Sequence, residues 1–159
     1  MDMTPWLHSP VSMVHLGAAL LALVAGTAVL YLPKATAGHR RLGWVYVGSM
    51  SVVLLTAFCI YTLLGRFGIV HWGAVASAGA LLLGVGAALV RAVVPAWLRW
   101  HYAGMGASVT SLYATLVVES TYRFFPATYF WWSTLGLGTL VLLVGSWLLH
   151  RRYLAWATA

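Results

Sequence analysis

Acidic residues are almost missing from this chain. Asp2 and Glu119 are its only two, and charged residues of both signs make up 7% of 159 residues. A soluble domain carries about 25%, so a core built from this sequence would lack a polar shell. The single cysteine, Cys59, excludes an internal disulfide. No catalytic-serine or zinc-protease motif is present, which sets classical hydrolase chemistry aside. The net charge of +7 would suggest nucleic acid in a soluble protein. Here the basic residues lie between apolar runs, and no nucleic-acid partner is expected.

What fills the chain is hydrophobic sequence, 62% of the total. Charge-free stretches run from Met3 to Pro33, Leu42 to Gly65, Phe67 to Val90, Trp100 to Val118 and Phe124 to His150. A spanning helix needs about 20 apolar residues, and backbone in lipid must satisfy its own hydrogen bonds, which favours helices over open sheets. An all-α polytopic membrane bundle follows, a single transmembrane domain over 1–159. Its five spans are expected at Val11–Leu32, Leu42–Leu64, Ile69–Val90, Trp100–Glu119 and Thr128–Leu149. Pro10, Pro33, Pro95 and Pro126 fall outside them, where proline does no harm. Met1–Trp6 lacks the basic start of a signal peptide, so the first run is expected to stay as a permanent span. The short connections make consecutive helices antiparallel neighbours. Spans one to four are expected to form the core. Span five, with no histidine or acid, is expected at the periphery, with Gly136 and Gly138 marking one close helix contact.

Charge orients the chain. Lys34, Arg40, Arg41, Arg91, Arg99, Arg151 and Arg152 fall on one side of five spans, and only Arg66 and Arg123 on the other. The positive-inside bias places the richer side in the cytoplasm. The expected location is the bacterial cytoplasmic membrane, with the N-terminus outside and the C-terminus inside. All nine tryptophans lie near expected interfaces, as an aromatic belt requires. A weak repeat relates His15-Leu16-Gly17-Ala18 to His71-Trp72-Gly73-Ala74, which points to a duplicated helical hairpin.

Four of the six histidines lie in or just before the first turns of a span. His15 and His71 then share the outer level, and His39 and His101 the inner one. In a sequentially wound bundle each pair is diagonal, so it can face a haem iron from both sides. Bundle interiors hold such cofactors, and histidine is a common axial ligand. Ala18, Ala22, Ala25, Gly26, Ala74 and Ala78 leave room beside the outer pair, and Arg40 and Arg41 suit haem propionates at the inner rim. Two other accounts stay open. Small residues also pack helices without a cofactor, and histidines at helix ends serve as interfacial residues. A metal site of His15, His71 and Glu119 is the third. On span four, His101, Met105, Ser108, Leu112, Thr115 and Glu119 share one face at three- and four-residue steps. Glu119 is also placed to pair with Arg123, four residues on.

Gly38-His39-Arg40-Arg41-Leu42-Gly43-Trp44-Val45-Tyr46-Val47 and Trp100-His101-Tyr102-Ala103-Gly104-Met105 carry a resemblance. They resemble the uncharacterised bacterial membrane family called domain of unknown function 2306, whose fourth span also ends in glutamate and arginine, as at Glu119 and Arg123. The resemblance covers roughly Val14 to Arg123 and implies a shared fold without a settled activity. More loosely, histidine pairs at two depths are similar to the two-haem b-type membrane cytochromes. Three functions are therefore expected. The first is b-type haem electron transfer, a membrane oxidoreductase with a quinone as one candidate partner. The second is a cofactor-free accessory subunit of a larger respiratory or photosynthetic complex. The third is a small transporter or metal-handling protein. Substrate, partner and oligomeric state are not encoded in any motif.

Overall fold

The computed structural model describes residues 9–60, 66–121 and 124–157. Among them five long helices follow one another: α1 Pro10–Tyr31, α2 Ala37–Ala57, α3 Ile69–Leu89, α4 Trp97–Thr121 and α5 Gly138–Ala157. A 3-10 turn, Ala127–Tyr129, and a π-helical stretch, Trp132–Leu137, precede α5.

Local chemistry sets the helix ends. Ser9 caps α1 by accepting the Ser12 N–H at 3.2 Å, with Pro10 in the first turn, where its missing donor costs nothing. At the other end Lys34 Nζ donates to the Val29 and Leu30 carbonyls at 2.8 and 3.1 Å, which answers orphan acceptors of the last turn. The chain then turns through Ala35 at φ 63, in the left-handed region. Thr36 accepts the His39 N–H at 3.1 Å and starts α2. So α2 begins at Ala37, five residues before the expected span. Apolar content had marked the expected start, whereas the cap decides the real one. Helix α2 ends at Ala57, short of Leu64, and residues 61–65 lie outside the described part. Helices α1 and α3 match their expected spans to within one residue at each end. Helix α4 is longer than expected, and the fifth segment reaches Ala157.

Three helices are long and apolar enough to cross a membrane: Pro10–Tyr31, Ile69–Leu89 and Trp132–Leu154. Helix α2 carries Arg40 and Arg41 in its first turns, and α4 is interrupted by glycine, serine and threonine. Several hydroxyls fold back on their own helices. Ser49 donates to the Val45 carbonyl, Ser51 to Val47, Thr56 to Val52, Thr110 to Gly106 and Thr115 to Ser111, all at 2.7–3.0 Å. Such bonds hide polarity from the surroundings.

The chain divides into two compact units, Met1–Ala78 and Gly79–Ala159. The boundary falls inside α3, not between the two hairpins of the suggested repeat. In the first unit α1 packs on α2. Ala22, Ala25, Gly26 and Val29 form the buried stripe of α1, and Tyr46, Ser49, Met50, Val53 and Leu54 that of α2. Both follow the three- and four-residue spacing of one helix face. In the second unit α4 packs on α5 and on the π-helical stretch. Glycines make the close approaches here. A Cβ on Gly104 would meet the backbone of Gly84 and the Ala80 carbonyl, so α3 and α4 touch main chain to main chain. Gly106 receives Leu149, Gly145 receives Thr110, and a Cβ on Gly138 would lie 3.3 Å from Val118 Cγ2. Of the two glycines expected at the span-five contact, only Gly138 is there. A Cβ on Gly136 would meet no other side chain or helix within 4 Å.

Candidate functional site

The helix-start histidines occupy three different chemical settings. His15 is half-buried on α1 and its Nδ1 lies 2.8 Å from Thr56 Oγ1 on α2. The Thr56 hydroxyl has one hydrogen. It lies 2.7 Å from the Val52 carbonyl and 3.1 Å from that of Val53, oxygens that only accept. That hydrogen is committed, so His15 Nδ1–H donates to Thr56. The neutral ring then keeps its lone pair on Nε2.

His101, half-buried in the first turns of α4, reaches the same tautomer by a shorter argument. Its Nδ1 lies 2.8 Å from the Gly84 carbonyl oxygen on α3. A carbonyl cannot donate, so Nδ1 carries a proton, and in the neutral ring Nε2 holds the lone pair. The Gly84–Gly104 contact brings that carbonyl within reach. Trp97 stands beside the ring, its centroid 6.3 Å away. An Nδ1–H bonded to a backbone carbonyl is the usual orienting bond of a metal-bound imidazole.

His71 is the reverse case. The Gly68 N–H donates to His71 Nδ1 at 3.2 Å, and the His71 N–H donates to the Gly68 carbonyl at 3.0 Å. The side chain thus closes the start of α3 in the manner of a reciprocal cap. The residue is 3% exposed. Its ring stacks on Phe67 at 4.9 Å and lies 6.3 Å from Phe58, while Trp72 meets Phe67 edge-on. Nε2 is itself buried.

His39 is half-buried in the first turn of α2, with Nδ1 buried, and Arg40 and Arg41 beside it are exposed. His39 belongs to the first unit and His101 to the second. His150 is exposed, and His8 lies outside the described residues. Along the α4 stripe, Ser108 and Leu112 are buried, His101, Met105 and Glu119 half-buried, and Thr115 exposed. The Glu119–Arg123 pairing falls outside the described residues at Arg123. Among the described residues no group of three or more His, Cys, Asp or Glu side chains is gathered as a metal site requires.

Two features went unread in the sequence. One is the role of Thr56 and Gly84 as acceptors for histidine. Ala80-x-x-x-Gly84 and Gly104-x-x-x-Ser108 carried a signal, since paired small residues at this spacing let helices approach. The other is the π-helical stretch. It holds a buried Thr134 hydroxyl with no hydrogen-bond partner among the described residues. On its other side is an open apolar groove between Trp131, Trp132, Gly136, Leu140 and Leu143.

No family model, curated protein or solved structure matches this chain. The resemblance carried by Gly38–Val47 and Trp100–Met105 stands on those residues alone.

Proposed function

We propose that the chain is a small integral membrane protein of the bacterial cytoplasmic membrane that holds a b-type haem and carries electrons within the bilayer. The observation behind it is the hydrogen bond from His101 Nδ1 to the Gly84 carbonyl. It fixes the imidazole against α3 and leaves Nε2 with the lone pair that an axial ligand needs. His15 has the same tautomer through Thr56. The exposed Arg40 and Arg41 suit propionates at the inner rim. A bound haem would supply a reversible one-electron carrier, and the chain's own residues would orient it and exclude water. A quinol is the class of donor that a protein with so little extramembrane mass would meet. In this reading all five helices cross the membrane, with the N-terminus outside. The seven-to-two basic asymmetry supports that orientation. The folded-back hydroxyls of α2 and α4 support their lying in lipid.

The test is an absorption spectrum of the full chain, purified in detergent from haem-supplied cells, oxidised and then reduced. A band that sharpens on reduction is expected. A chain with no visible absorption would end the haem reading.

A second reading, a cofactor-free subunit of a larger membrane complex, is favoured by the groove beside Trp131 and Trp132. Its apolar lining is open to a neighbouring helix, and lateral packing suits a chain that is nearly all span. It predicts co-purification with a partner in mild detergent and no visible absorption.

A further inference from the structure

We infer that three of the helix-start histidines divide into two chemical classes, and that His15 and His101 are ligand positions whereas His71 is a capping residue that cannot bind iron. The inference rests on the haem reading for its consequence, but not for its chemistry.

Imidazole binds a metal through a nitrogen that has lost or never held a proton, and the other nitrogen usually donates a hydrogen bond that fixes the ring. His101 meets both conditions with Nδ1–H on the Gly84 carbonyl, and His15 with Nδ1–H on Thr56. In both, Nε2 keeps the lone pair. His71 inverts the pattern. Its Nδ1 receives the Gly68 N–H, so the neutral ring carries its proton on Nε2. Placing iron on Nε2 would require moving that proton to Nδ1, where it would point at another N–H. The cap of α3 would be lost. Access fails as well, because Nε2 is buried and the ring is packed against Phe58 and Phe67. A macrocycle reaches such a nitrogen only after the aromatic cluster opens.

The outer level therefore does not supply a bis-imidazole centre from His15 and His71. It supplies one imidazole, His15, and a histidine whose work is to start a helix. The same distinction explains why two residues at matching places in a possible repeat, each followed by a glycine at the second position, have diverged in role. Gly68 stands three residues before His71, the spacing of a cap. Before His15 the corresponding position is Ser12, whose N–H is already bound by Ser9.

The decisive experiment uses the full chain in micelles and two readouts. Ring-nitrogen resonances of 15N-labelled histidines report the tautomers directly. His15 and His101 should show protonated Nδ1, and His71 protonated Nε2. Haem content and the reduced spectrum are then compared for wild type, His101→Ala and His71→Asn. The asparagine carbonyl replaces the acceptor for Gly68 but offers no imidazole. His71→Asn should keep the wild-type haem content and spectrum, and His101→Ala should lose most of its haem. Protonated Nδ1 on His71 would overturn the assignment whether or not haem binds. So would haem loss in a His71→Asn protein whose helix content and melting are unchanged. A wild-type chain without haem would end the electron-transfer reading alone, because the resonances still decide the tautomers.

Discussion

Helices α1 and α2 meet through side chains that fill space, whereas α4 meets α3 and α5 through glycines that vacate it. In the first hairpin, Tyr46 and Met50 are 0% and 2% exposed and lie on the stripe opposite small residues of α1. The polar contact between these two helices runs from His15 to Thr56, with the Val53 backbone as a further partner of the ring. In the second unit, Gly84, Gly104, Gly106 and Gly145 each leave room that a neighbour enters. Carbonyls then become available to side chains of another helix: Gly84 to His101, and Leu149 to the Tyr102 hydroxyl at 2.8 Å. Side-chain packing tolerates adjustment, since rotamers move. Main-chain contact does not, because neither partner has an alternative conformation to adopt.

That difference can be broken at four positions. Gly104→Ala should have the largest effect. Its methyl would strike the Gly84 backbone and the Ala80 carbonyl, and overpacking of this kind costs about 1–3 kcal/mol. Unfolding in micelles should show the loss, and the His101 Nδ1 resonance should shift as the Gly84 carbonyl withdraws. A Gly104→Ala protein as stable as wild type would mean that α3 and α4 do not touch main chain to main chain.

Gly106→Ala should cost less, about 1 kcal/mol at the low end of the same range. The atom met is Leu149 Cδ1 at 2.7 Å, the far end of a side chain that can turn. A loss equal to that at Gly104 would erase the distinction between side-chain and main-chain contact. Thr56→Val keeps the shape and removes the hydroxyl acceptor for His15, leaving the Val53 backbone. Interhelical hydrogen bonds in membranes average about 0.6 kcal/mol, and the same unfolding assay should register a loss of that order. A change above that at Gly104 would make the polar link, not the apolar stripe, the main tie of the first hairpin. Gly17→Ala should be the one change that costs nothing. No atom lies within 4 Å of the added methyl, so only helix propensity acts, a gain of up to about 1 kcal/mol. Destabilisation there would point to a neighbour outside this chain.

Most of the helical plan was legible because prolines and apolar runs bracket it. Pro10 and Pro33 mark α1, and Ile69 opens α3 where the apolar run begins. The start of α2 was misplaced because Arg40 and Arg41 were read as loop residues, although both have long stems that reach water from a helix. The depth of His15, His71 and His101 within their helices was legible, but the ring chemistry was not. Thr56 is 41 residues from His15, and Gly84 is 17 from His101. Sequence spacing carries no information about such partners. For His71 the information was local, in Gly68, three residues before it. Glycine content suggested close packing somewhere. Which glycines approach and which face open space depends on helix rotation, as Gly138 and Gly136 show.

The π-helical stretch before α5 makes the two ends of the fifth segment separable in register. An α-helix advances about 100° per residue. A wider turn inserted at Trp132–Leu137 therefore resets the bearing of everything ahead of it, while Gly138, Gly145 and Leu149 keep their places against α4. The indole pair at Trp131 and Trp132 is mounted on a dial. Gain or loss of one residue within that stretch would swing both rings to a new compass point, at the cost of refitting Ser133 and Thr134, which are buried in it. A lineage can thus re-aim this aromatic edge in one insertion or deletion, a step that ordinary point substitution cannot take.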